Sequence, residues 1–323
     1  MVKIDIISGF LGAGKTTLIK KLLKDGFQGE QVVLIENEFG EIGIDGGFLK
    51  EAGIQIREMN SGCICCSLVG DFGTSLKEVV TKYDPDRILI EPSGVGKLSD
   101  VIKAVQGVQD EVDIKLNSYT TVVDAKKCKM YMKNFGEFFD NQIQYAGAII
   151  MSRTDIASEK KVQESLELLR SLNKDAAIIT TPIENLDGKK LVEVMEHPVS
   201  LEQEMLEEEH EHHHHHDGEC GCGHDHHHHH ADEVFTSWGR ETIKKYTREG
   251  LEKILEALSE SDKYGIILRA KGMLPAEDGT WIYFDMVPEE TEIREGAPEY
   301  TGRLCVIGSK LDEHALEALF GIA

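Results

Sequence analysis

The sequence predicts an α/β fold with a mostly parallel sheet, followed by a smaller α+β domain. Two observations support this prediction. Short β-branched runs alternate with amphipathic helical stretches through residues 1–197, as in a parallel sheet with helical crossovers. A second set of strands and helices occupies 232–323, after a stretch at 198–231 that lacks apolar periodicity and consists largely of Glu, His, Gly, Cys and Asp. We therefore expect two packed domains joined by a linker.

The elements of both domains can be placed from their apolar patterns. Strands of the first domain are expected at short apolar runs, which cover 2–7, 31–35, 54–57, 87–90, 119–123, 147–151 and 176–180. Helical spacing is clearest in two sets of residues, Phe72, Leu76, Val79, Val80 and Tyr83, then Val162, Leu166 and Leu169. The second domain has strand patterns near 233–238, 264–270, 280–286 and 302–307, and helical faces at Leu251, Ile254, Leu255 and Leu258 and at Leu311, Ala315, Leu316 and Leu319. This order suits a sheet with its helices on one face.

The composition favours metal ions over nucleic acids as partners. The formal net charge is -23, so a polyanion would be repelled. Seven cysteines are present, and five of them form two clusters too tight for a disulfide framework, which makes metal binding the better interpretation. The sequence shows no export signal and no stretch that approaches a membrane span, so we expect a cytoplasmic protein without a membrane partner.

A phosphate-binding loop is the most informative motif. Residues 9–17 read G-F-L-G-A-G-K-T-T directly after the β-branched run at 2–7, which fits G-x-x-x-x-G-K-[ST] between a strand and a helix. Inward-facing N–H groups would bind phosphate, Lys15 would reach the β- and γ-phosphates, and Thr16 would hold Mg²⁺. The predicted nucleotide contacts in this loop are Gly9, Gly12, Ala13, Gly14, Lys15, Thr16 and Thr17. The alternative is a glycine-rich turn that carries a lysine by chance.

Two further segments have the pattern of phosphate sensors. An acidic, glycine-punctuated stretch runs from Glu36 to Asp45 after the second strand, where switch proteins place a loop that senses the γ-phosphate. The strand at 87–90 leads into Glu91, and Gly94 follows three residues later. Glu91 would touch Mg²⁺ through water, and the Gly94 N–H would meet the γ-phosphate. A solvated loop and a buried strand end with a capping acid are the respective alternatives.

A base-reading segment, Ser152-Arg153-Thr154-Asp155, follows the strand near 147–151, where a P-loop GTPase reads its base. Asp155 would accept hydrogen bonds from the N1–H and the exocyclic NH₂ of guanine, whereas adenine has an unprotonated N1 that would leave this carboxylate unpaired. The alternative is that Asp155 caps the helix that follows.

Thiols and histidines form two candidate metal sites. Cys63, Cys65 and Cys66 lie close enough in sequence for three thiolates and one carboxylate to surround a soft or borderline cation. A redox or incidental thiol cluster is the alternative. The linker offers a second set of exchangeable ligands for Zn²⁺, Ni²⁺ or Co²⁺, against the alternatives of an engineered tag or a solvated spacer. Its candidate ligands are His212, His213, His214, His215, His216, Cys220, Cys222, His224, His226, His227, His228, His229 and His230.

Together these motifs resemble the CobW/HypB/UreG type of P-loop GTPase, and most closely its CobW branch of metal chaperones. The resemblance spans the whole chain and rests on the loop at 9–17, E-N-E-F-G-E at 36–41, G-C-I-C-C at 62–66, E-x-x-G at 91–94, R-A-K-G at 269–272 and R-L-C-V-I-G at 303–308. It implies a GTPase that couples its nucleotide state to holding and delivering a transition metal. It also implies an internal metal site made of Glu36, Cys63, Cys65 and Cys66.

One departure from the family pattern concerns base reading. The family has N-K-x-D where this chain has Ser152-Arg153-Thr154-Asp155. Asp155 keeps the guanine contact, and the stem of Arg153 can pack on the base as lysine does. Ser152 is shorter than asparagine, so we expect it not to brace the loop in the same way. Weaker guanine selectivity would follow, and ATP use stays open.

The expected function is therefore that of a GTP-hydrolysing metallochaperone with a P-loop NTPase fold. Lys15, Thr16 and Glu91 would act on the phosphates, and Thr16, Asp45 and Glu91 would organise Mg²⁺. The cargo would be Zn²⁺, with Co²⁺ and Ni²⁺ as alternatives. The expected partners are GTP and GDP, a client metalloprotein and, depending on the nucleotide, a second copy of the chain. Two alternatives are a metal buffer with negligible turnover, which the phosphate-site motifs disfavour, and a P-loop small-molecule kinase, for which the sequence shows no arginine-rich lid.

Overall fold

The structure is a computed structural model that describes residues 1–36, 55–58, 69–109, 111–197, 236–287 and 290–322. Its contacts separate into two compact units, Met1–Pro198 and Val199–Ala323. Among the described residues, no helix combines the length and the apolar character needed to cross a membrane.

The first unit is built on a seven-stranded sheet with parallel pairing throughout. Its strands are β1 (Val2–Gly9), β2 (Val32–Glu36), β3 (Gln55–Glu58), β4 (Arg87–Glu91), β5 (Ile114–Asp124), β6 (Ala148–Ser152) and β7 (Ala177–Ile179). The order across the sheet is β3-β2-β4-β1-β5-β6-β7. Its central strands read as continuous apolar runs because helices cover both faces of a parallel sheet.

In the described ranges, five α-helices lie between these strands and a sixth follows β7, in agreement with the predicted alternation. They are α1 (Lys15–Lys21), which continues as a π-type turn (Leu22–Gly26), α2 (Val69–Tyr83), α3 (Leu98–Val108), α4 (Cys128–Gln144), α5 (Glu159–Leu172) and α6 (Gly188–Glu196). All seven predicted strands are present. β5 begins at Ile114, whereas the prediction began it at 119. The prediction missed the first part of the strand because that part mixes buried with exposed or half-buried residues and so lacks a continuous apolar run.

A buried ionic cluster centres on Arg87 at the start of β4. Its guanidinium donates to Asp5, to Glu30 (Nε to Oε2, 2.6 Å) and to Glu196 (Nη2 to Oε1, 2.9 Å). Burial alone would lower the pKa of Arg87, but the three carboxylates raise it above its usual range. Burial raises the pKa of Glu196, but its hydrogen bonds with Arg87, Asn117 and Lys3, together with the charge of Arg87, outweigh this and leave that pKa below its ordinary value. The cluster ties the end of α6 to the sheet.

The described part of the second unit is an antiparallel sheet with two α-helices. Its strands are β8 (Thr236–Thr242), β9 (Ile266–Pro275), β10 (Trp281–Val287), β11 (Glu290–Gly296) and β12 (Gly302–Ser309), in the order β11-β10-β9-β12-β8. α7 (Arg248–Glu260) and α8 (Glu313–Phe320) place Leu255 and Phe320 in one core with Trp238 and Val306 of the sheet. The predicted α+β arrangement is confirmed. The sequence prediction missed β11, because this edge strand reads E-T-E-I-R-E-G and is mostly exposed.

Candidate functional site

The phosphate loop joins β1 to α1. Gly9, at the end of β1, has a φ of +143°, and a Cβ there would lie 2.4 Å from the carbonyl oxygen of Val122, so the position requires glycine. Gly14 caps α1 in the left-handed region, with a φ of +107°. Lys15 begins the helix and is only 8% exposed, and its Nζ donates to the Gly9 carbonyl oxygen at 3.1 Å. The lysine ammonium therefore lies within the turn that the loop makes.

The loop after β4 contacts the phosphate loop directly. Glu91 ends β4 with its Oε1 3.7 Å from the Nζ of Lys15. A Cβ on Gly94 would lie 3.0 Å from the backbone N of Leu11, so the two loops touch through their backbones. The buried hydroxyl of Ser93 has no hydrogen-bond partner among the described residues. A parallel sheet brings the carboxyl ends of β1 and β4 to one edge, and there Lys15, Glu91 and Gly94 meet.

The base-reading segment holds the phosphate loop from the opposite side. The Ser152 hydroxyl donates to the Ala13 carbonyl oxygen at 2.5 Å, and Arg153 Nη2 donates to the Gly12 carbonyl oxygen at 2.9 Å. Two successive side chains thus bind two successive loop carbonyls. Ser152 does contact the loop, because the end of β6 lies near enough to Ala13 for a hydroxyl to reach it. That it braces the loop differently from asparagine remains a prediction. A Cβ on Gly14 would be in ordinary contact with the Ser152 Cβ at 3.5 Å, so the left-handed φ, and not the space, favours glycine at this position.

Asp124 is a residue of this site that sequence reasoning missed. It ends β5, is 2% exposed, and its carboxylate accepts from the guanidinium of Arg153 and from the Lys126 backbone N–H at 2.8 Å. Arg153 therefore spans Asp124 and Gly12, with a left-handed φ of +60° that is uncommon for a residue other than glycine. The signal in the sequence was an acid at the end of an apolar strand, the same signal that singled out Glu91.

Asp155 is exposed and lies two residues after Arg153. The helix that follows begins at Glu159 with Ser158 at its N-cap position, so the helix-capping alternative for Asp155 is not realised. Thr16 is half-buried in the first turn of α1, and Thr17 is exposed. The guanine-reading role of Asp155 and the magnesium role of Thr16 remain predictions.

Most of the predicted transition-metal ligands lie outside the described residues. Glu36 is described: it ends β2 and pairs in register with Glu91 of β4 and with Glu58 of β3. Asp45, a predicted magnesium ligand, lies outside the described ranges. So do these predicted transition-metal ligands: Cys63, Cys65, Cys66, His212, His213, His214, His215, His216, Cys220, Cys222, His224, His226, His227, His228, His229 and His230. In the ranges that are described, no three His, Cys, Asp or Glu residues are grouped so that they could hold a metal ion. Cys128 and Cys305 are free and buried, and burial raises the pKa of the Cys128 thiol to about 11.

Family comparisons agree with this geometry in both units. The nucleotide-binding domain of CobW/HypB/UreG matches residues 3–180, and the C-terminal domain of the cobalamin synthesis protein cobW matches residues 235–322. The chain belongs to the CobW/HypB/UreG family. The loops that meet around Lys15 thus lie in the nucleotide-binding domain of a CobW-type protein.

Two relatives are proteins of Escherichia coli strain K12. The zinc chaperone YeiR is 29% identical over 191 residues, which cover 59% of this chain and 58% of YeiR. The zinc chaperone YjiA is 30% identical over 194 residues, which cover 58% of this chain and 59% of YjiA. This CobW-type chain thus spans less than two thirds of the length of either relative. The crystal structure of the Zn(II)-bound YjiA GTPase from E. coli has a TM-score of 0.44 and 21% identity, and the match covers 99% of this chain and 98% of that one.

Proposed function

We propose that the chain is a GTP-hydrolysing metallochaperone, which binds GTP with Mg²⁺, carries a zinc ion and delivers it to a client metalloprotein in the cytoplasm. The observation that carries the proposal is the convergence of the Glu91 loop and the Ser152-Arg153 segment on the two sides of the phosphate loop. The names of the two E. coli relatives, both zinc chaperones and one also called a GTPase, support it. The proposal includes a GTPase domain at 1–197, a metal-binding linker at 198–231 and a C-terminal domain at 232–323.

The nucleotide roles follow from the chemistry of each side chain. Lys15, whose Nζ lies 3.1 Å from the Gly9 carbonyl oxygen, would neutralise the β- and γ-phosphate oxygens. Gly94 has no side chain, so its backbone can lie against Leu11 and its own N–H can approach the γ-phosphate. Asp155 would accept the two guanine donors, and Arg153 would lie beside the base on a loop that Asp124 fixes. Water would be the nucleophile.

The oxygen donors at this edge fit Mg²⁺, which prefers hard ligands and keeps several waters. Thr16 and Glu91 would hold it, with Asp45 as a third proposed donor. When bound, Mg²⁺ would neutralise the negative charge that develops on the phosphate oxygens. The half-buried Glu91 is already 3.7 Å from Lys15, so its carboxylate is kept next to the phosphate positions.

The cargo site would combine Glu36 with Cys63, Cys65 and Cys66. Three thiolates and one carboxylate give the four-coordinate set that Zn²⁺ accepts, and Co²⁺ or Ni²⁺ can use the same donors. The histidines and thiols of the linker would add weaker, exchangeable sites. Glu36 connects the two halves of the proposal, because it pairs in register with Glu91 across β2 and β4.

Metal titrations in two nucleotide states test the proposal. The zinc affinity of the full chain is measured with GDP bound and with a non-hydrolysable GTP analogue bound, and we expect the two values to differ. Linkage requires that zinc changes the affinity of the analogue by the same factor, with about 1–3 kcal/mol an ordinary size for such a coupling. In parallel, Asp155→Ala should reduce the preference for GDP over ADP.

Matched cysteine variants separate the cargo site from the linker. Cys65→Ser with Cys66→Ser should remove the tight zinc site and the coupling while nucleotide still binds. Cys220→Ser with Cys222→Ser makes the same chemical change in the linker and should keep both. Equal zinc affinity in the two nucleotide states would contradict the chaperone mechanism.

A further inference from the structure

An exposed apolar surface lies beside the phosphate loop. It consists of one residue of that loop, one residue of the loop after β4 and three residues of α4, and is called here the α4 patch. Its members and their exposed fractions are Leu11 54%, Val95 38%, Met130 47%, Phe135 46% and Phe138 39%. Contiguous exposed apolar surface on a folded protein is typical of an interaction site.

Contacts of neighbouring residues connect the segments that carry the patch. Phe10, which precedes Leu11 in the phosphate loop, has its ring centroid 5.0 Å from that of Phe135. Lys97, at the start of α3, has its Nζ 5.8 Å from the centroid of the Phe138 ring. The patch therefore extends from the phosphate loop across α4 to the segment that follows β4.

The helix is kinked in the middle of the patch. Phe135 has a φ of -136° and a ψ of 29°, which is not a helical conformation, although it lies inside α4. Gly136 follows it. Such a break costs regular backbone hydrogen bonding, and sharp kinks have specific causes rather than being random deformations. Here the kink separates a first half that carries Met130 from a second half that carries Phe138.

The second half of α4 holds the loop whose glycine faces the phosphate loop. Gln142 is fully buried, and its Nε2 donates to the carbonyl oxygens of Gly94 at 3.2 Å and of Gly96 at 2.8 Å. Asn141 Oδ1 accepts from the Ser99 backbone N–H at 3.2 Å, and Asn141 Nδ2 donates to the Ser99 hydroxyl at 3.0 Å. A ligand on the α4 patch would thus touch both phosphate-site loops and the helix that fixes one of them.

Positive charge borders the patch at the start of α4, whereas next to Phe138 the exposed Glu137 pairs with Lys97 at 2.7 Å. Four lysines are exposed around the start of α4: Lys126, Lys127, Lys129 and Lys133. Glu164 pairs with Lys129, and the first turn of α4 contains no acidic residue. Cations at a helix N-terminus oppose the helix dipole, so helix stability does not account for this arrangement. The formal net charge of the whole chain is -23, so this local surplus has the opposite sign.

We propose that the α4 patch docks an acidic segment of a partner protein, in which Asp or Glu flank aliphatic or aromatic anchors. Apolar anchors would cover the exposed rings, and the flanking acids would meet the lysines. A second copy of this chain fits less well, because a symmetric pair about this patch would place lysines against lysines. Because the patch includes residues of both phosphate-site loops, we also expect docking to depend on the bound nucleotide. This dependence rests on the proposed function, whereas docking itself does not.

Peptide binding to the full chain tests the proposal. Three fluorescent peptides are compared by anisotropy: an acidic peptide with Leu and Phe anchors, the same peptide with Lys in place of its acids, and the same peptide with Ser in place of its anchors. We expect the first to bind and each of the other two to bind at least about tenfold more weakly, since both the charge and the apolar contact are required.

Protein variants locate the binding site. Met130→Glu with Phe138→Glu should reduce binding of the acidic peptide about tenfold or more, as should Lys126→Glu with Lys133→Glu. Lys160→Glu with Lys161→Glu makes the same charge change at exposed positions of α5 and should bind as wild type does. Circular dichroism and GDP affinity show whether each variant is folded. The lysine variants keep the test decisive if the apolar variant unfolds.

Three results would overturn the proposal. The first is equal binding of the three peptides. The second is a loss of peptide binding in the α5 control variant as large as in the α4 variants. The third is sedimentation data showing that the patch forms a dimer of this chain that excludes the peptide. Measurements with GDP and with the GTP analogue are made separately. If the peptide binds equally in both states, docking stands and only its nucleotide dependence fails.

Discussion

Replacing Gly94 with alanine would test whether the loop after β4 and the phosphate loop act as one unit. The new methyl group would lie 2.9 Å from the Cδ2 of Leu11, 3.0 Å from its backbone N and 3.2 Å from its Cα. The side-chain carbon can rotate away, but the two backbone atoms can move only if the phosphate loop moves. Gly94 does not lie in the left-handed region, so the effect of alanine would arise from space and not from backbone strain.

The expected size follows from these distances. Contacts of about 3 Å require shifts of several tenths of an ångström, and added methyl groups in tightly packed sites cost about 1–3 kcal/mol. If that cost falls on the nucleotide-bound state, affinity drops by about 5- to 150-fold. We expect a larger loss for a GTP analogue than for GDP, because the Gly94 N–H is proposed to meet the γ-phosphate.

Titration of GDP and a GTP analogue against three variants provides the assay. Adding Leu11→Ala to Gly94→Ala removes the Cδ2 contact and should rescue little, since the backbone contacts remain. Gly73→Ala is the matched control: its methyl group would lie 2.8 Å from Val108 Cγ1, between α2 and α3, and should lower thermal stability without changing the ratio of the two affinities. A Gly94→Ala variant with wild-type affinity for both nucleotides would refute the close contact of the two loops.

Two further predictions concern buried charge. Arg153→Lys should weaken GDP binding by about tenfold, because a lysine ammonium cannot contact both Asp124 and the Gly12 carbonyl as a guanidinium does. Calorimetric titration measures the GDP affinity. Wild-type affinity in this variant would show that the contacts of Arg153 with Asp124 and Gly12 are not needed for binding. Glu196→Gln should lower the free energy of unfolding at neutral pH by about 1–3 kcal/mol and flatten its acid dependence. The pKa of Glu196 is lowered in the folded state, so its contribution to the free energy of unfolding is present above the ordinary pKa of 4.5 and is lost as the pH falls through the folded pKa. Urea unfolding at several pH values would detect this loss. An unchanged acid dependence would contradict the role of its bond with Arg87.

The sequence predicted three of the site residues that lie at strand ends. Gly9, Glu91 and Ser152 end or directly follow apolar runs, and a parallel sheet brings such ends to one edge, so their proximity could be predicted without coordinates. What could not be predicted was the pairing of Arg153 with Asp124, because it depends on how far the end of β6 lies from the end of β5. The reach of Ser152 to Ala13 depends on the same spacing.

Two structural features had weak or misleading sequence signals. β11 is an edge strand in which acids alternate with Thr, Ile and Arg, so its pairing is stabilised by ladder hydrogen bonds and not by a buried face. The kink at Phe135 interrupts α4 without a proline, and a glycine next to it is too common a signal to place a break. In both places the tertiary context decides the conformation.

The register of β2 and β4 bears on the coupling between metal and nucleotide. Glu36, the proposed cargo ligand, and Glu91, the proposed magnesium ligand, are paired residues on neighbouring strands. Hydrogen-bonded strands lie about 4.8 Å apart, so the two residues are kept close by backbone pairing whatever the intervening loops do. Charges on such neighbouring side chains influence each other electrostatically. A change in charge next to Glu91, such as the loss of a γ-phosphate, therefore alters the electrostatic environment of Glu36 even if no loop moves, and loop movement would add to that effect.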